Sequence, residues 1–368
     1  MPSCARLIFI GVLMFAGATN VSADVTLYGQ LDLALFSADN GDESLTAIVD
    51  NDASPTRGGV LATLNLSNTF RVGAHIEYEL QYNPSNEVDL MGNDNIAPED
   101  LRERHLSIFA RGTWGKLSIG RGDGAANGNL QRDLSGTALI SFTDPERIGG
   151  SISFFDSAAN TAVAIADTIR DQDFEHRYTR FRYDAPKFGS LATSLSIGNK
   201  SGDNNVYELG IRIGSQYEIG KMEAAAGYSL EDSDDGSSFG ALTGDNITTG
   251  GSFSFLANSG VNLTLAYSVE TDENPANPDS TFGMAKVGYK RGKHAFSVSY
   301  MQSNDRDQLD DESSAFAVGY VLKQSESVDI YAGYKVHSLD RVGAQFDDVG
   351  VAMIGVRFKF LTKPFEIK

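Results

Sequence analysis

Along most of this chain, polar and apolar residues change places at every second position, from "ADVTLYGQLDLALF" (Ala23 to Phe36) to "VGVAMIGVRFKF" near the end. In the first stretch Val25, Leu27, Leu31, Leu33 and Leu35 share one side, while Thr26, Tyr28, Gln30, Asp32 and Phe36 share the other. A period of two belongs to the β-strand, whose side chains point alternately to opposite faces. Between Phe70 and Tyr82 the polar face carries Arg71, His75, Glu77, Glu79 and Gln81. A sandwich core would not accept such a face without large desolvation costs, whereas a water-filled lumen would.

The alternation comes in pairs joined by short turns. Arg57 to Ser67 precedes Phe70 to Tyr82, Arg102 to Arg111 precedes Lys116 to Arg121, and His176 to Ala185 precedes Leu191 to Lys200. Four later pairs follow, and the opening segment and a closing one from Val349 to Phe360 bring the expectation to sixteen strands. Turns such as "GTWG", "PKFGS" and "RGK" alternate with long polar loops such as "EDSDDGSSFG", "ETDENPANPDS" and "SNDRDQLDDES". Short turns at one rim and long loops at the other mark a transmembrane barrel, and an even strand number with closure leaves no exposed edge. The fold class read from the sequence is therefore all-β, a 16-stranded antiparallel transmembrane β-barrel. No linker divides it.

Residues 1–23 have the form of a cleaved export signal: Arg6 in the n-region, an apolar core from Leu7 to Ala16, and small residues at Val21-Ser22-Ala23. That places the barrel at 24–360 and leaves 361–368 as a short periplasmic tail, because Pro364 cannot donate to a sheet ladder. Cys4, the only cysteine, departs with the signal. Of the 30 basic residues Arg6 also departs, leaving 29 against 49 acidic ones, a net charge of −20. Nucleic acid is a poor partner for such a chain. After the signal no apolar run is long enough for a spanning helix, and a spanning protein without such helices must be a closed barrel.

Enzymatic and metal chemistry find little footing. His105 and Ser107 form a pair with no orienting acid, and both fall on the lumen side. There is no H-E-x-x-H or cysteine cluster for zinc, and "EDSDDGSS" lacks the later glutamate of a calcium loop. No cofactor and no catalytic residue is expected.

Taken in order, "VTLYGQLDLAL", "FRVGAHIEYELQ", "RERHLSIFARGTWGKLSIGR", "RFRYDAPKFGSLATSLSIG" and "VGVAMIGVRFKF" resemble the strands of the general diffusion porins of Gram-negative bacteria. The resemblance implies a trimeric, water-filled barrel narrowed by a third loop folded into its lumen. The residues themselves mark that loop: the longest gap between strands, about fifty residues, lies between Arg121 and Glu175, and loops so long are usually functional. Its centre, "DPERIGG", is similar to the family's Pro-Glu-aromatic-Gly-Gly element, with Arg147 and Ile148 in place of the aromatic. Its "SISFFDSAANTAVAIAD" alternates as a short extra hairpin would.

By the same resemblance, loop acids Asp144 and Glu146 oppose arginines of the wall: Arg57, Arg71, Arg121, Arg180 and Arg182. Gln30 stands where the family often has a basic residue. The function this implies is passive diffusion of small hydrophilic solutes and ions through the outer membrane. The expected partners are outer-membrane lipid and lipopolysaccharide, and the expected assembly is a homotrimer. Loop acids and net charge together point to a weak cation preference. A solute-selective binding channel of the same fold is the alternative, although Trp114 falls in a turn and no aromatic stripe lines the lumen face.

Overall fold

The computed structural model describes residues 23–90, 100–200, 204–232, 245–273 and 278–367. The expected signal, save Ala23, lies outside them, as do most of "EDSDDGSSFG" and the middle of "ETDENPANPDS". The chain opens with β1 (Ala23–Asp39), β2 (Ser44–Asp50), β3 (Arg57–Asn65), β4 (Arg71–Gln81), β5 (Asp100–Gly112) and β6 (Gly115–Asp123). A long loop, 124–176, holds a small hairpin, β7 (Ser153–Asp156) and β8 (Thr161–Ala164), followed by one helical turn. Then come β9 (Arg177–Asp184), β10 (Leu191–Asn199), β11 (Asn205–Tyr217), β12 (Gly220–Asp232) and β13 (Asn246–Ala257). The series ends with β14 (Val261–Asp272), β15 (Ser280–Arg291), β16 (His294–Asn304), β17 (Glu312–Lys323), β18 (Val328–Asp340), β19 (Val349–Leu361) and β20 (Phe365–Ile367).

Every wall strand pairs antiparallel with the next, β6 joins β9 across the long loop, and β1 closes the ring against β19. β1 takes two strands on its other side: β3 along Ala23 to Gln30 and β2 along Leu33 to Asp39. β2 and β3 are thus one wall strand broken by "NDASPT". There Asp50 Oδ1 accepts from Thr56 N (2.9 Å), Asn51 Oδ1 accepts from Ala53 N (3.1 Å), and Pro55 has no N–H to give. The sequence reading stopped β1 at Phe36 and did not find β2, because this turn chemistry hides the strand's first half. The end of the chain also differs from a free tail. After a break at Thr362 to Pro364, β20 pairs Phe365 with Val25 and Ile367 with Ala23, prolonging β19 along β1. Counting each broken strand once, the barrel has sixteen strands.

The exposed face is apolar. Leu35 is 52% exposed, Ile48 61% and Tyr267 58%, while Asp32, Lys286 and His337 are fully buried on the other face. This inverts the arrangement of a water-soluble protein and is the arrangement lipid demands.

The buried face is divided. Along β1 and β14 to β19 it is mostly apolar or small, interrupted by Asp32, Lys286, Asp329, Lys335 and His337, and residues of the 124–176 segment contact it. Phe36, Phe282, Met301 and Val351 of the wall join Ile148, Ile152, Phe154 and Ile165 of the loop in one cluster. Ile140 sits over Gly319 and Gly333, register partners on β17 and β18; a Cβ on Gly333 would come within 2.3 Å of Ile140 Cγ1. Polar pins fasten the same segment: Ser299 to Ser141 (2.9 Å), Ser297 to Thr137 (2.7 Å), Lys286 Nζ to Asp133 Oδ2 (2.9 Å), and Lys335 Nζ to the Pro145 carbonyl (2.8 Å). The opposite arc, from β4 to β12, is rich in charged residues; Glu208 and Arg212 bond residues near the loop's two ends, while Arg71, Arg102 and Arg121 border open cavities.

Ile108 and Ser107 are neighbours on β5 that face lipid and lumen respectively. An arginine on the lipid face near mid-bilayer costs about 2–4 kcal/mol. Ile108→Arg is therefore expected to lower stability by about that much in urea unfolding from lipid, and Ser107→Arg by much less; equal losses would reverse the assignment of the two faces.

Candidate functional site

The charged arc is built around a fault in the ladder. Between β4 and β5 the register slips, with Glu77 opposite His105 but Tyr78 opposite Glu103, so Arg104 is an extra residue. A bulge of this kind turns the side chain that follows strict alternation away from its expected face. From His105, counting by twos puts Arg104 and Arg102 toward lipid; the bulge returns both to the lumen. Arg104 then bridges two acids of β4, with its Nε 2.6 Å from Glu77 Oε1 and an Nη1 hydrogen bond to Glu79. Tyr28 OH donates to the other oxygen of Glu77 at 2.7 Å.

Around Arg104 a cavity of ≈ 440 Å³ opens between the wall and the loop. Its cationic lining comprises Arg57, Arg102, Arg104, Arg121 and Arg177 from the wall and Arg147 and Arg170 from the loop; its carboxylates are Asp52, Glu79, Glu103 and Glu146. Arg121 Nε donates to the Glu103 carbonyl at 2.9 Å, and Arg57 Nη1 donates to the Pro55 carbonyl at 3.0 Å. Arg147 is held between Asp144 (2.9 Å) and Asp52 (3.0 Å). The structure thus brings together Arg57, Arg121 and Glu146 of the expected set. It adds Arg102, Arg104, Arg147, Arg170 and Arg177. The bulge concealed Arg102 and Arg104, while Arg147 was visible only as a departure from the "PERIGG" pattern.

Arg71, Arg180 and Arg182 belong to a second cavity of ≈ 450 Å³, with Arg111, Lys116, Asp123 and Asp184. Arg180 Nη1 donates to the Gly120 carbonyl (2.7 Å), and Arg182 Nη1 to that of Gly124 (2.6 Å). Arg71, Arg111 and Lys116 lie side by side through strand register. His105 lines this cavity too, stacked on His75 with ring centroids 4.3 Å apart.

Most of the loop acids do not face open space. Asp144 is fully buried against Arg147 and under the Asp171 amide (3.4 Å), so it lines neither cavity. Asp173 accepts from Gly128 N at 2.5 Å and Leu130 N at 2.9 Å; burial lifts its pKa to about 7. Burial with Asp144 and Asp173 nearby holds Asp171 well above the usual carboxylate range. Asp156 accepts from the amides of Ala158, Ala159 and Gln345. Glu146 is the exception, a cavity-lining carboxylate 3.5 Å from Arg170 Nε. Burial, reinforced by the Asp144 charge, pushes its pKa up to about 7. His176, buried beside Arg147 and Arg170, is held well below the usual imidazole value.

Among known families, the model for Gram-negative porins matches residues 10–341. Sequence comparison with curated proteins gives no match. The fold is similar to that of an anion-selective porin from Comamonas acidovorans, at a TM-score of 0.65 and 15% identity, over 92% of this chain and 100% of that one. It is likewise similar to the outer-membrane protein OmpT of Vibrio cholerae (TM-score 0.59, 14% identity, 92% and 98% covered). OmpF of Salmonella typhi, solved with daunomycin, gives 0.59 at 13% identity, with 92% and 97% covered.

Arg104 holds two nearly buried carboxylates, and removing one partner of such a group leaves the other charges uncompensated, at a cost on the order of 3 kcal/mol. Arg104→Ala is expected to lose about that much stability in chemical unfolding, and Arg104→Ala combined with Glu77→Gln and Glu79→Gln to recover a good part of it. No recovery in the triple variant would show that Arg104 acts through packing alone.

Proposed function

The chain belongs to the Gram-negative porins, outer-membrane channels of β-barrel fold, and on that premise we propose that it passes small hydrophilic solutes by diffusion and favours anions. The observation that carries the preference is the lining of the narrow cavity, seven arginines against four carboxylates. The second cavity repeats the imbalance, with Arg71, Arg111, Lys116, Arg180 and Arg182 against Asp123 and Asp184. Cation preference, expected from net charge and loop acids, loses its footing here, because Asp144, Asp171 and Asp173 are buried as hydrogen-bond acceptors. A charge turned into the loop's own backbone does not act on a passing ion as a lumen charge would.

In this reading residues 124–176 lie within the barrel and set its bore. Support comes from their hydrogen bonds to buried-face residues of β14 to β18 and from the apolar cluster they share with that wall. Rings of fixed charge across such a constriction set ion preference, and the low-dielectric wall strengthens their field. No chemistry is performed and no energy is consumed. Assembly as a homotrimer, export by residues 1–23, and contact with lipid and lipopolysaccharide complete the proposal; one OmpT structure is described as a trimer form.

The test is the reversal potential across a potassium chloride gradient. Chloride should be preferred at about 0.1 M salt, where the Debye length is about 10 Å, and the preference should fade at 1 M, where it is about 3 Å. Arg57→Ala and Arg121→Ala should each weaken it; a pore that prefers potassium at low salt would overturn the reading. Glu146 adds a pH dependence. Above about pH 7 it is ionised and offsets Arg170; below, it is neutral and the constriction gains net positive charge. Anion preference should therefore rise between pH 8 and pH 6. Glu146→Gln should show the low-pH value at both.

A further inference from the structure

A third cavity, of ≈ 340 Å³, lies at the short-turn end of β15 to β19, roofed by Gly136, Ala138 and Leu139 of the long loop. Its cations are of another kind. Lys290, Lys293, Lys323, Lys359 and Arg357 line it, with Asp329 as its one carboxylate. That carboxylate is already shared: its Oδ2 lies 2.7 Å from Arg357 Nη2 and 2.8 Å from Lys359 Nζ. Among the described residues Lys323 pairs with Glu326, whose side chain is 92% exposed, so solvent weakens that attraction. Lys290 and Lys293 have no carboxylate partner among the described residues. The stem of Lys290 lies along Gly136 of the loop, and Lys293 Nζ donates to the Gln324 carbonyl at 2.8 Å.

The cluster is continuous with the constriction. Strand register sets Lys323 beside Asp329 and Asp329 beside Arg357, then Lys359 beside Gln30 and Gln30 beside Arg57. Ala53 and Ser54 border both the lysine cavity and the arginine cavity, and Ser54 Oγ accepts from Arg357 Nη1 at 2.8 Å. The arginine cavity and the lysine cavity therefore share a border, next to which Asp32 is the strand partner of Arg357 and buried against Tyr331.

We propose that this lysine cavity is a binding site for small oxyanions carrying two or more negative charges, of the phosphate and sulfate class. The inference rests on the pore's anion preference and goes beyond it. Guanidinium planes match carboxylates and phosphates through paired hydrogen bonds, whereas ammonium groups act as compact point charges and respond to the total charge of the guest. Four such groups around a partly apolar chamber, walled by Leu139, Ala295 and Val321, distinguish a dianion from a monoanion by charge more than by shape.

The experiment measures chloride conductance of single pores in planar bilayers at pH 8 while inorganic phosphate, sulfate or acetate is added to either side. Phosphate and sulfate should reduce the conductance in a saturable way, from one side more strongly than from the other, and acetate should need about tenfold more. The double variant Lys290→Gln/Lys359→Gln should raise the half-blocking phosphate concentration about tenfold, which corresponds to about 1.4 kcal/mol. Heat-dependent migration on gels verifies that the variant folds, and Lys290→Arg/Lys359→Arg should restore much of the block. Arg121→Ala should change the reversal potential and leave the half-blocking concentration within about threefold. Unchanged block in the double glutamine variant, equal block by acetate, or no block by phosphate would each overturn the site while leaving anion preference standing. A wild-type pore that prefers potassium would instead remove the reading of the pore on which the site depends.

Discussion

Everything in this molecule depends on β1 finding partners on both of its sides. In hydrocarbon no water is available to backbone amides and carbonyls, so an unclosed sheet would leave two edges of unsatisfied groups at several kcal/mol each. β1 meets β19 from Tyr28 to Asp39 and is prolonged by β20 at Ala23 to Val25; on its other side β3 and β2 divide its length. Both neighbours are broken strands, and in each the break falls at a proline that cannot donate to the ladder, Pro55 and Pro364. Closure tolerates these breaks because β1 itself runs through without interruption.

Closure creates an inside, and the inside is asymmetric. From β14 round to β1 the inner wall is made mostly of serines, alanines, glycines and a few large apolar residues, with Lys286, Lys335 and His337 buried among them. Gly319 and Gly333 admit Ile140, serines meet serines and threonines, and Lys286 and Lys335 bond the loop's carboxylate and carbonyl. The remaining arc meets the long loop at the loop's two ends, where Ala125 N and Ala126 N donate to Ser196 and Glu208, and Glu175 N donates to Glu208. That asymmetry leaves the arginines of β3, β5, β6 and β9 facing the loop's Arg147, Arg170 and Glu146 across an open cavity.

The acids show why counting charges along a sequence misjudges a pore. Carboxylates at Asp144, Asp171 and Asp173 are as negative in the sequence as any others, yet the loop uses them to satisfy amides that its irregular backbone leaves without ladder partners. Gln172, Phe174 and His176 all adopt positive φ, so this stretch cannot pair its own backbone as a strand would. Side-chain oxygens stand in. Some arginines also bond loop carbonyls, Arg132 to Gly128 and Arg182 to Gly124, but Arg57, Arg102, Arg104, Arg121 and Arg177 line the open cavity.

What the sequence determined by itself was the wall. A period of two repeated with short turns and long loops specifies strands, their number, the lipid-facing residues and an antiparallel closed barrel, because each of these follows from local geometry and from the impossibility of an open edge in lipid. The hairpin in "SISFFDSAANTAVAIAD" was legible for the same reason. The pore's chemistry was legible only in part. Arg57, Arg121 and Glu146 were placed together, but Arg71, Arg180 and Arg182 belong to another cavity and Asp144 to none. Arg102 and Arg104 were hidden by a bulge, whose position depends on how β4 and β5 meet and leaves no mark on either strand alone. Which carboxylates are used up and which cations are left unpaired was decided by tertiary structure, since a charge's effect depends on partners from strands far apart in the chain, and only closure of the barrel sets their distances.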